Sequence, residues 1–144
     1  MSTPAPYFLN VDLDIESTAP LRSLVREFGE RVSITYSGRM NGRHCLFVKI
    51  ASMHKTPEKT IRALCALIEN LSPKGRKLWD AAKRKEFDIG FDARFSSHRA
   101  NRFTIDTKTL RRVTDLGASI AVTFYREDKT NLRDALRPCL SRSL

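Results

Sequence analysis

Carboxylate side chains recur at alternate positions in two segments, FLNVDLDIE at residues 8–16 and EFDIGFDARF at residues 86–95. Asp12 and Asp14 alternate with apolar residues in the first segment, and Asp88 and Asp92 do so in the second. Because the side chains of a strand alternate between its two faces, each segment predicts a strand with one apolar and one acidic face. Several carboxylates on neighbouring strands are the ligands that a two-metal phosphoryl-transfer site uses, since hard cations prefer oxygen.

Three interpretations of this acidic pattern stay open. The carboxylates could hold the metal ions of a phosphodiesterase, face a protein partner, or form the solvated side of a half-buried sheet. The same alternation occurs on any solvated sheet face, and Lys49 and Arg94 fall near enough to neutralise part of the charge. We therefore predict no metal ligands and expect Asp12 and Asp14 to be exposed to solvent.

Basic residues are concentrated in the segment KGRKLWDAAKRK, residues 74–85. On a helix, with a rotation of about 100° per residue, four cations fall on one arc, opposite Leu78, Trp79 and Ala82. The four cations are Arg76, Lys77, Lys83 and Arg84. A helix with this face can follow a phosphate backbone. The alternative is a solvated face on which Asp80 pairs with its basic neighbours.

Two further segments add cations to the predicted binding surface. The sequence GRMNGR places Arg39 and Arg43 at a hairpin tip, because Asn-Gly favours a type I′ turn. The polar loop SSHRANR adds Arg99 and Arg102. A basic two-stranded ribbon can enter a DNA groove, although charge at a hairpin tip also discourages edge pairing. These four arginines and the four cations of residues 74–85 are the predicted sites for nucleic acid or another partner.

Motifs of catalysis and cofactor binding are absent from the sequence, which has no glycine-rich phosphate loop, no HExxH and no GxSxG. The histidines at positions 44, 54 and 98 lack the spacing of metal ligands. The cysteines at positions 45, 65 and 139 lack a CxxC pair. We predict that the protein is not an enzyme and has no catalytic residue and no cofactor.

The hydrophobic pattern predicts the element order β-α-β-β-α-β-α-β. Predicted strands cover residues 8–16, 31–40, 44–51, 86–95 and 119–125. The predicted helices cover residues 19–28 and 106–116, and the middle helical element consists of two pieces, at residues 56–71 and 73–85. The first six elements match a ferredoxin-like β-α-β-β-α-β sandwich. We therefore predict an α+β fold extended by a further helix and strand, with the helices on one face of the sheet. One domain is expected at residues 7–126, followed by a basic and partly helical tail at residues 127–144.

The sequences EFDIGFDARFSS and TLRRVTDLGASIAVTFY resemble the closing half of a group of small bacterial domains of unknown function. In that group, a helix ending in LGA leads into a last strand that ends in tyrosine. The resemblance covers residues 7–126, and the opening strand and the region of Trp79 are compatible with it. It implies an α+β fold. Some such domains resemble immunity proteins that bind a toxin, so the resemblance also implies protein binding as an alternative role.

The charge of the chain narrows the class of partner. Its 144 residues include 26 Lys and Arg against 16 Asp and Glu, a formal net charge of +10. The charge is −3 for residues 1–21, +5 for residues 22–73 and +8 for residues 74–144. Because a basic chain attracts polyanions, we predict a non-enzymatic binding module for an acidic partner, with nucleic acid as the first candidate. Protein–protein interaction is the alternative, and a metal-dependent phosphodiesterase is the third hypothesis.

The location of the protein is predicted from what its sequence lacks. The N-terminal residues MSTPAPYFLN have no signal-peptide pattern, and no stretch reaches the roughly 18 apolar residues of a membrane span. We therefore predict a cytoplasmic protein without a membrane span. The oligomeric state stays open, with a homodimer among the options.

Overall fold

The computed structural model describes residues 7–93 and 102–126, and within them the predicted α+β class is confirmed. The strands are β1 (Tyr7–Ser17), β2 (Val32–Met40), β3 (Arg43–Ile50), β4 (Arg84–Asp92) and β5 (Ser119–Tyr125). The helices are α1 (Arg22–Phe28), α2 (Pro57–Glu69), α3 (Pro73–Ala81) and α4 (Thr107–Asp115), and a 3₁₀ turn, Gly29–Arg31, follows α1. The predicted tail at residues 127–144 lies outside the described residues.

The five strands form one mixed sheet in the order β2-β3-β1-β4-β5. The pairs of β1 with β3, β1 with β4 and β2 with β3 are antiparallel, and β5 runs parallel to β4. A parallel pair needs a crossover connection, which contains α4 here. The apolar side chains of β1, Val11, Leu13 and Ile15, are fully buried in one cluster with apolar residues of the helices. The opposite face of β1 therefore carries its acidic residues.

Side-chain caps begin three of the described helices. The Oγ1 of Thr56 accepts a hydrogen bond from the backbone N–H of Lys59 at 3.3 Å, ahead of Pro57 in the first turn. Ser72 and Asp106 cap α3 and α4 in the same way. Such caps satisfy backbone donors that have no partner within the helix. Helix α1 differs, because its N-cap is Leu21 and no side chain caps it.

The hairpin between β2 and β3 is confirmed. Asn41 and Gly42 have φ angles of 52° and 78°, which a type I′ turn requires. The register of β2 against β3 shifts between Ile34 and Tyr36. Ile34 pairs with the buried Val48 but is itself exposed on this edge strand, and the ring centre of Tyr36 lies 5.7 Å from that of Phe47 on the acidic side of the sheet.

Trp79 joins α3 to the end of α4. Its side chain is fully buried, and its Nε1–H donates to the carbonyl oxygen of Leu116 at 2.8 Å. The variant Trp79→Phe is expected to lower the free energy of unfolding by about 2 kcal/mol, because it removes buried volume and leaves that carbonyl without its donor. Urea unfolding of both proteins measures the difference, and a loss below about 0.5 kcal/mol, typical of a surface change, would contradict this role.

Candidate functional site

The pairing of β1 with β4 brings acidic side chains of both strands onto one face of the sheet. Residues directly opposite each other in an antiparallel pair share a face, with Cβ atoms about 5 Å apart. The opposed pairs are Asp12 with Asp88, Asp14 with Glu86, and Glu16 with Arg84. We call this surface the carboxylate face, defined by Asp12, Asp14, Glu16, Glu86 and Asp88.

The expectation that this acidic row is exposed to solvent is wrong. Asp14 is only 9% exposed, and Glu16, Glu86 and Asp88 are buried as well. Asp12 is half-buried. Alternation in a sequence assigns a side chain to a face, but it carries no information about which other side chains lie across that face.

Arg84 lies among three of these carboxylates. Its Nη1 is 3.1 Å from Glu16, and its Nη2 is 3.3 Å from Asp14 and 2.8 Å from Glu86. All four side chains are nearly buried, so water screens these ion pairs little. The Nε atom of Arg84 has no hydrogen-bond partner among the described residues. Arg84 thus offsets part of the negative charge of the carboxylate face from within.

The prediction that Lys83 and Arg84 lie on the exposed arc of a helix is wrong, because neither residue is helical, although Lys83 is exposed. Helix α3 ends at Ala81, and Ala82 has extended backbone angles, φ −62° and ψ 142°. The backbone N–H of Lys83 then donates to the carbonyl oxygen of Glu16 at 2.8 Å, which starts the pairing of β4 with β1. Strand pairing therefore overrides the helical preference of the sequence AAKRK, and Arg84 turns toward the acidic residues of β1.

Burial changes the protonation of the two central carboxyl groups. It raises the pKa of Asp14 from 3.8 to about 7, although Arg84 acts in the opposite direction. Burial and the neighbouring charge of Asp88 raise the pKa of Asp12 from 3.8 to about 6, and Lys49 lowers it in part. Both groups therefore take up protons at a pH where an exposed aspartate is fully ionised.

Tyr125 and Thr123 of β5 border the carboxylate face. Burial, followed by the negative charge of Asp88, raises the pKa of Tyr125 to about 12, so its hydroxyl stays protonated. The Oγ1 of Thr123 donates to Asp88 at 2.7 Å.

Within residues 7–93 and 102–126, no three His, Cys, Asp or Glu side chains are placed to hold a metal ion. Calorimetry with Mg²⁺ or Mn²⁺ tests the phosphodiesterase hypothesis directly, and an absence of binding heat would reject it.

Three of the predicted basic residues lie at one end of the sheet. Arg39 pairs with His44, and His44 pairs with Ser17 of β1. Lys83 precedes β4 beside the same end of β1. Since neighbouring strands are about 4.8 Å apart, the backbones of Arg39 and Lys83 lie about 14 Å from each other. We call this surface the basic end, defined by Arg39, Arg43 and Lys83.

The side chains of the basic end are exposed, and none of them forms an ion pair within the described part of the chain. Arg39 donates instead to the carbonyl oxygen of Gly42 at 3.2 Å, inside the turn. The structure therefore leaves these three positive charges without a carboxylate partner in its described residues.

The other predicted basic residues lie elsewhere. Arg76 pairs with Asp80 at 3.0 Å, and Lys77 is exposed on α3. Arg102 lies at the opposite end of the sheet, because the ring of the adjacent Phe103 contacts Phe91 near the end of β4 at 5.5 Å. Arg94 and Arg99 lie outside the described residues. The predicted cations therefore do not all merge into one patch.

One further cation near the basic end was missed at the level of sequence. Arg22 is exposed and is the first residue of α1, five residues after β1 ends at Ser17. A helix that follows a strand through a short connection begins near the end of that strand. The predicted order of elements could therefore have placed Arg22 near the end of β1.

Comparisons with known proteins find no match to this chain among protein-family models, curated proteins or solved structures. In the described residues, no helix combines the length and the apolar character needed to cross a membrane.

Proposed function

We propose that this chain is a non-enzymatic binding module that contacts nucleic acid through its basic end. The observation that carries the proposal is the position of Arg39, Arg43 and Lys83, which are exposed at one end of the sheet without ion pairs among the described residues. Residues from distant parts of the sequence thus place their positive charges at the same end of the sheet. Such a surface attracts phosphate groups, and each phosphate that it neutralises releases counterions.

The carboxylate face supports this role because its nearest charges are already neutralised. Glu16 is the member of the carboxylate face that lies nearest along β1 to the basic end, and Arg84 holds it at 3.1 Å while also pairing with Asp14 and Glu86. Without this ion pair, the negative charge of Glu16 would cancel part of the positive potential around Lys83. Arg84 therefore contributes indirectly, although it is too buried to reach a phosphate itself.

The contacts that we propose are to the phosphate backbone, so binding is expected to be salt-sensitive and weakly dependent on base sequence.

We also propose the ferredoxin-like arrangement, with helices on one face of the sheet, as the finer description of the fold. The order of the first four strands, with β1 and β3 inside β4 and β2, supports it. In this arrangement the ligand meets one end of the sheet rather than the carboxylate face.

Neutralising the basic end tests the function. The triple variant Arg39→Ala, Arg43→Ala, Lys83→Ala is expected to bind a single-stranded oligonucleotide about 100-fold more weakly at low salt. The slope of log affinity against log salt concentration should also become shallower by about 0.7 for each phosphate contact that is lost. Fluorescence anisotropy over a salt series measures both quantities.

A matched control separates location from net charge. The triple variant Arg102→Ala, Lys108→Ala, Arg111→Ala removes the same charge from exposed residues outside the basic end. It is expected to keep most of the affinity and the salt slope. Equal losses in the two triple variants, or wild-type affinity that does not change with salt, would overturn the proposal.

A protein-binding role, including the immunity-type role that the sequence resemblance implies, is the second candidate. It is favoured by the exposed apolar side chains Leu110, Val122 and Phe124 near one edge of the sheet. Exposed apolar surface is typical of protein interaction sites. A protein that leaves heparin at low salt and co-purifies with a protein partner would favour this role over nucleic-acid binding.

A further inference from the structure

Among the residues that the structure describes, strand β5 is an edge of the sheet and has no protecting charge, proline or bulge of its own. It pairs with β4 on one side, and no strand of the described residues pairs with its other side. Its sequence, SIAVTFY, contains no charged residue, no proline and no glycine. Natural sheets protect exposed edges with charges, prolines or bulges, because an open edge can pair with another chain.

The opposite edge, β2, is protected. Its register shifts between Ile34 and Tyr36, and its sequence VSITYSGRM includes Gly38 and Arg39. An irregularity of this kind bends a strand, and a charge on an edge disfavours the approach of a second strand. The two edge strands therefore differ in their protection against pairing with another strand: β2 has an irregular register and a charge, and β5 has neither.

The apolar side of β5 is only partly covered. Val122 pairs with Ile89 and Phe124 with Phe91, so both side chains share the core side of the sheet. Yet Val122 is 52% exposed and Phe124 is 56% exposed, although the Phe124 ring stacks on that of Phe91 at 5.6 Å. Leu110 of α4 is also exposed. The apolar layer thus continues to an open edge without a cover among the described residues.

We propose that two copies of this chain pair through β5 in antiparallel orientation, around a two-fold axis at Val122, to form one continuous sheet with ten strands from the described residues. A two-fold interface must be complementary to itself, and β5 meets this requirement. Centred on Val122, the pairing sets Ile120 opposite Phe124 of the other copy on the apolar side, with Val122 opposite itself. Pairs of aromatic and β-branched side chains stabilise neighbouring strands.

The distribution of charge favours a second copy as the occupant. The chain has a formal net charge of +10, yet the strand at the proposed axis is neutral, so two copies can approach there without direct repulsion. The same pairing places Arg126 of one copy opposite Ala118 of the other, three residues from Asp115. Arg126 and Asp115 are both exposed, so opposite charges come close at each end of the paired strands.

Molecular mass in solution tests the pairing. Light scattering on the full chain at tens of micromolar is expected to give twice the 16.4 kDa mass of one chain. The variant Val122→Lys sets two like charges opposite each other at the axis and is expected to give the mass of one chain. The matched control Ile34→Lys changes an exposed apolar residue on the other edge strand and should remain a dimer. A monomeric wild type, or a dimeric Val122→Lys, would overturn the proposal.

A cross-link test gives a positive signal for pairing, so misfolding of a variant cannot imitate the expected result. In the variant Val122→Cys, the two new thiols meet at the axis, and mild oxidation is expected to give a disulfide-linked dimer on a non-reducing gel. The wild type and Ile34→Cys control for the native cysteines and for random collision. Cross-linking of Val122→Cys that does not exceed that of Ile34→Cys would contradict pairing at this axis.

Discussion

Replacing Arg84 by methionine is expected to lower the free energy of unfolding by about 3–5 kcal/mol at neutral pH. Methionine keeps an unbranched apolar stem, although it is shorter, and it removes the guanidinium charge that pairs with Asp14, Glu16 and Glu86. Those carboxylates would then be buried together without a cation, and their mutual repulsion would add to the cost of their lost solvation. Urea unfolding monitored by circular dichroism measures the change.

The pH dependence of this loss distinguishes the electrostatic role of Arg84 from simple packing. Near pH 4 Asp14 is protonated, because its pKa is raised to about 7, so the Arg84→Met variant should recover part of its lost stability relative to the wild type. Arg76→Met is the matched control, because Arg76 pairs with Asp80 on the surface, where an ion pair contributes about 0.5 kcal/mol. If the free energies of unfolding of Arg84→Met and of the Arg76→Met control differ by less than about 1 kcal/mol at pH 7, the buried charge cluster does not stabilise the protein as described.

The variant Asp14→Asn is expected to become progressively more stable than the wild type as the pH rises from about 4 to about 7. The folded-state pKa of Asp14, about 7, lies above its ordinary value of 3.8, so between these values the folded state holds a proton that the unfolded state lacks. This contribution to stability is fully present below about pH 4 and is lost as the pH rises through 7. Between about pH 4 and pH 7, the free energy of unfolding of the variant relative to that of the wild type should therefore rise by an amount on the order of 4 kcal/mol.

Asparagine suits this test because its side-chain oxygen can still accept the hydrogen bond that Arg84 donates to Asp14. Chemical denaturation at half-unit pH steps gives the difference between the two proteins directly. The variant Asp115→Asn, at an exposed helix end, controls for the loss of one negative charge. A stability difference for Asp14→Asn that is constant across this pH range, or that shrinks as the pH rises, would contradict the raised pKa.

Local sequence patterns predict much of this fold because they act over a few residues. The caps at Thr56, Ser72 and Asp106 and the Asn41-Gly42 turn all appear where the sequence indicates. The alternation in β1 also assigns its acidic and apolar residues to the correct faces. Each of these features depends on backbone geometry that neighbouring residues determine.

The features that sequence did not predict depend on contacts between distant residues. The end of α3 is set by pairing with β1, where the N–H of Lys83 meets the carbonyl of Glu16, and no pattern within residues 73–85 contains that information. The burial of Asp14 likewise depends on Arg84, which is 70 residues away in sequence. The grouping of Arg39 with Lys83 required the sheet order, which periodicity alone does not supply.

The location of the bound nucleic acid tests the central claim, that ligand contacts are confined to the basic end. In ¹⁵N-labelled protein titrated with a single-stranded oligonucleotide, amide chemical shifts should change at Arg22, Arg39, Arg43 and Lys83. The amides of Asp12, Asp14 and Asp88 on the carboxylate face should stay unchanged. Shift changes centred on the carboxylate face, or no changes at the basic end at saturating oligonucleotide, would contradict the account.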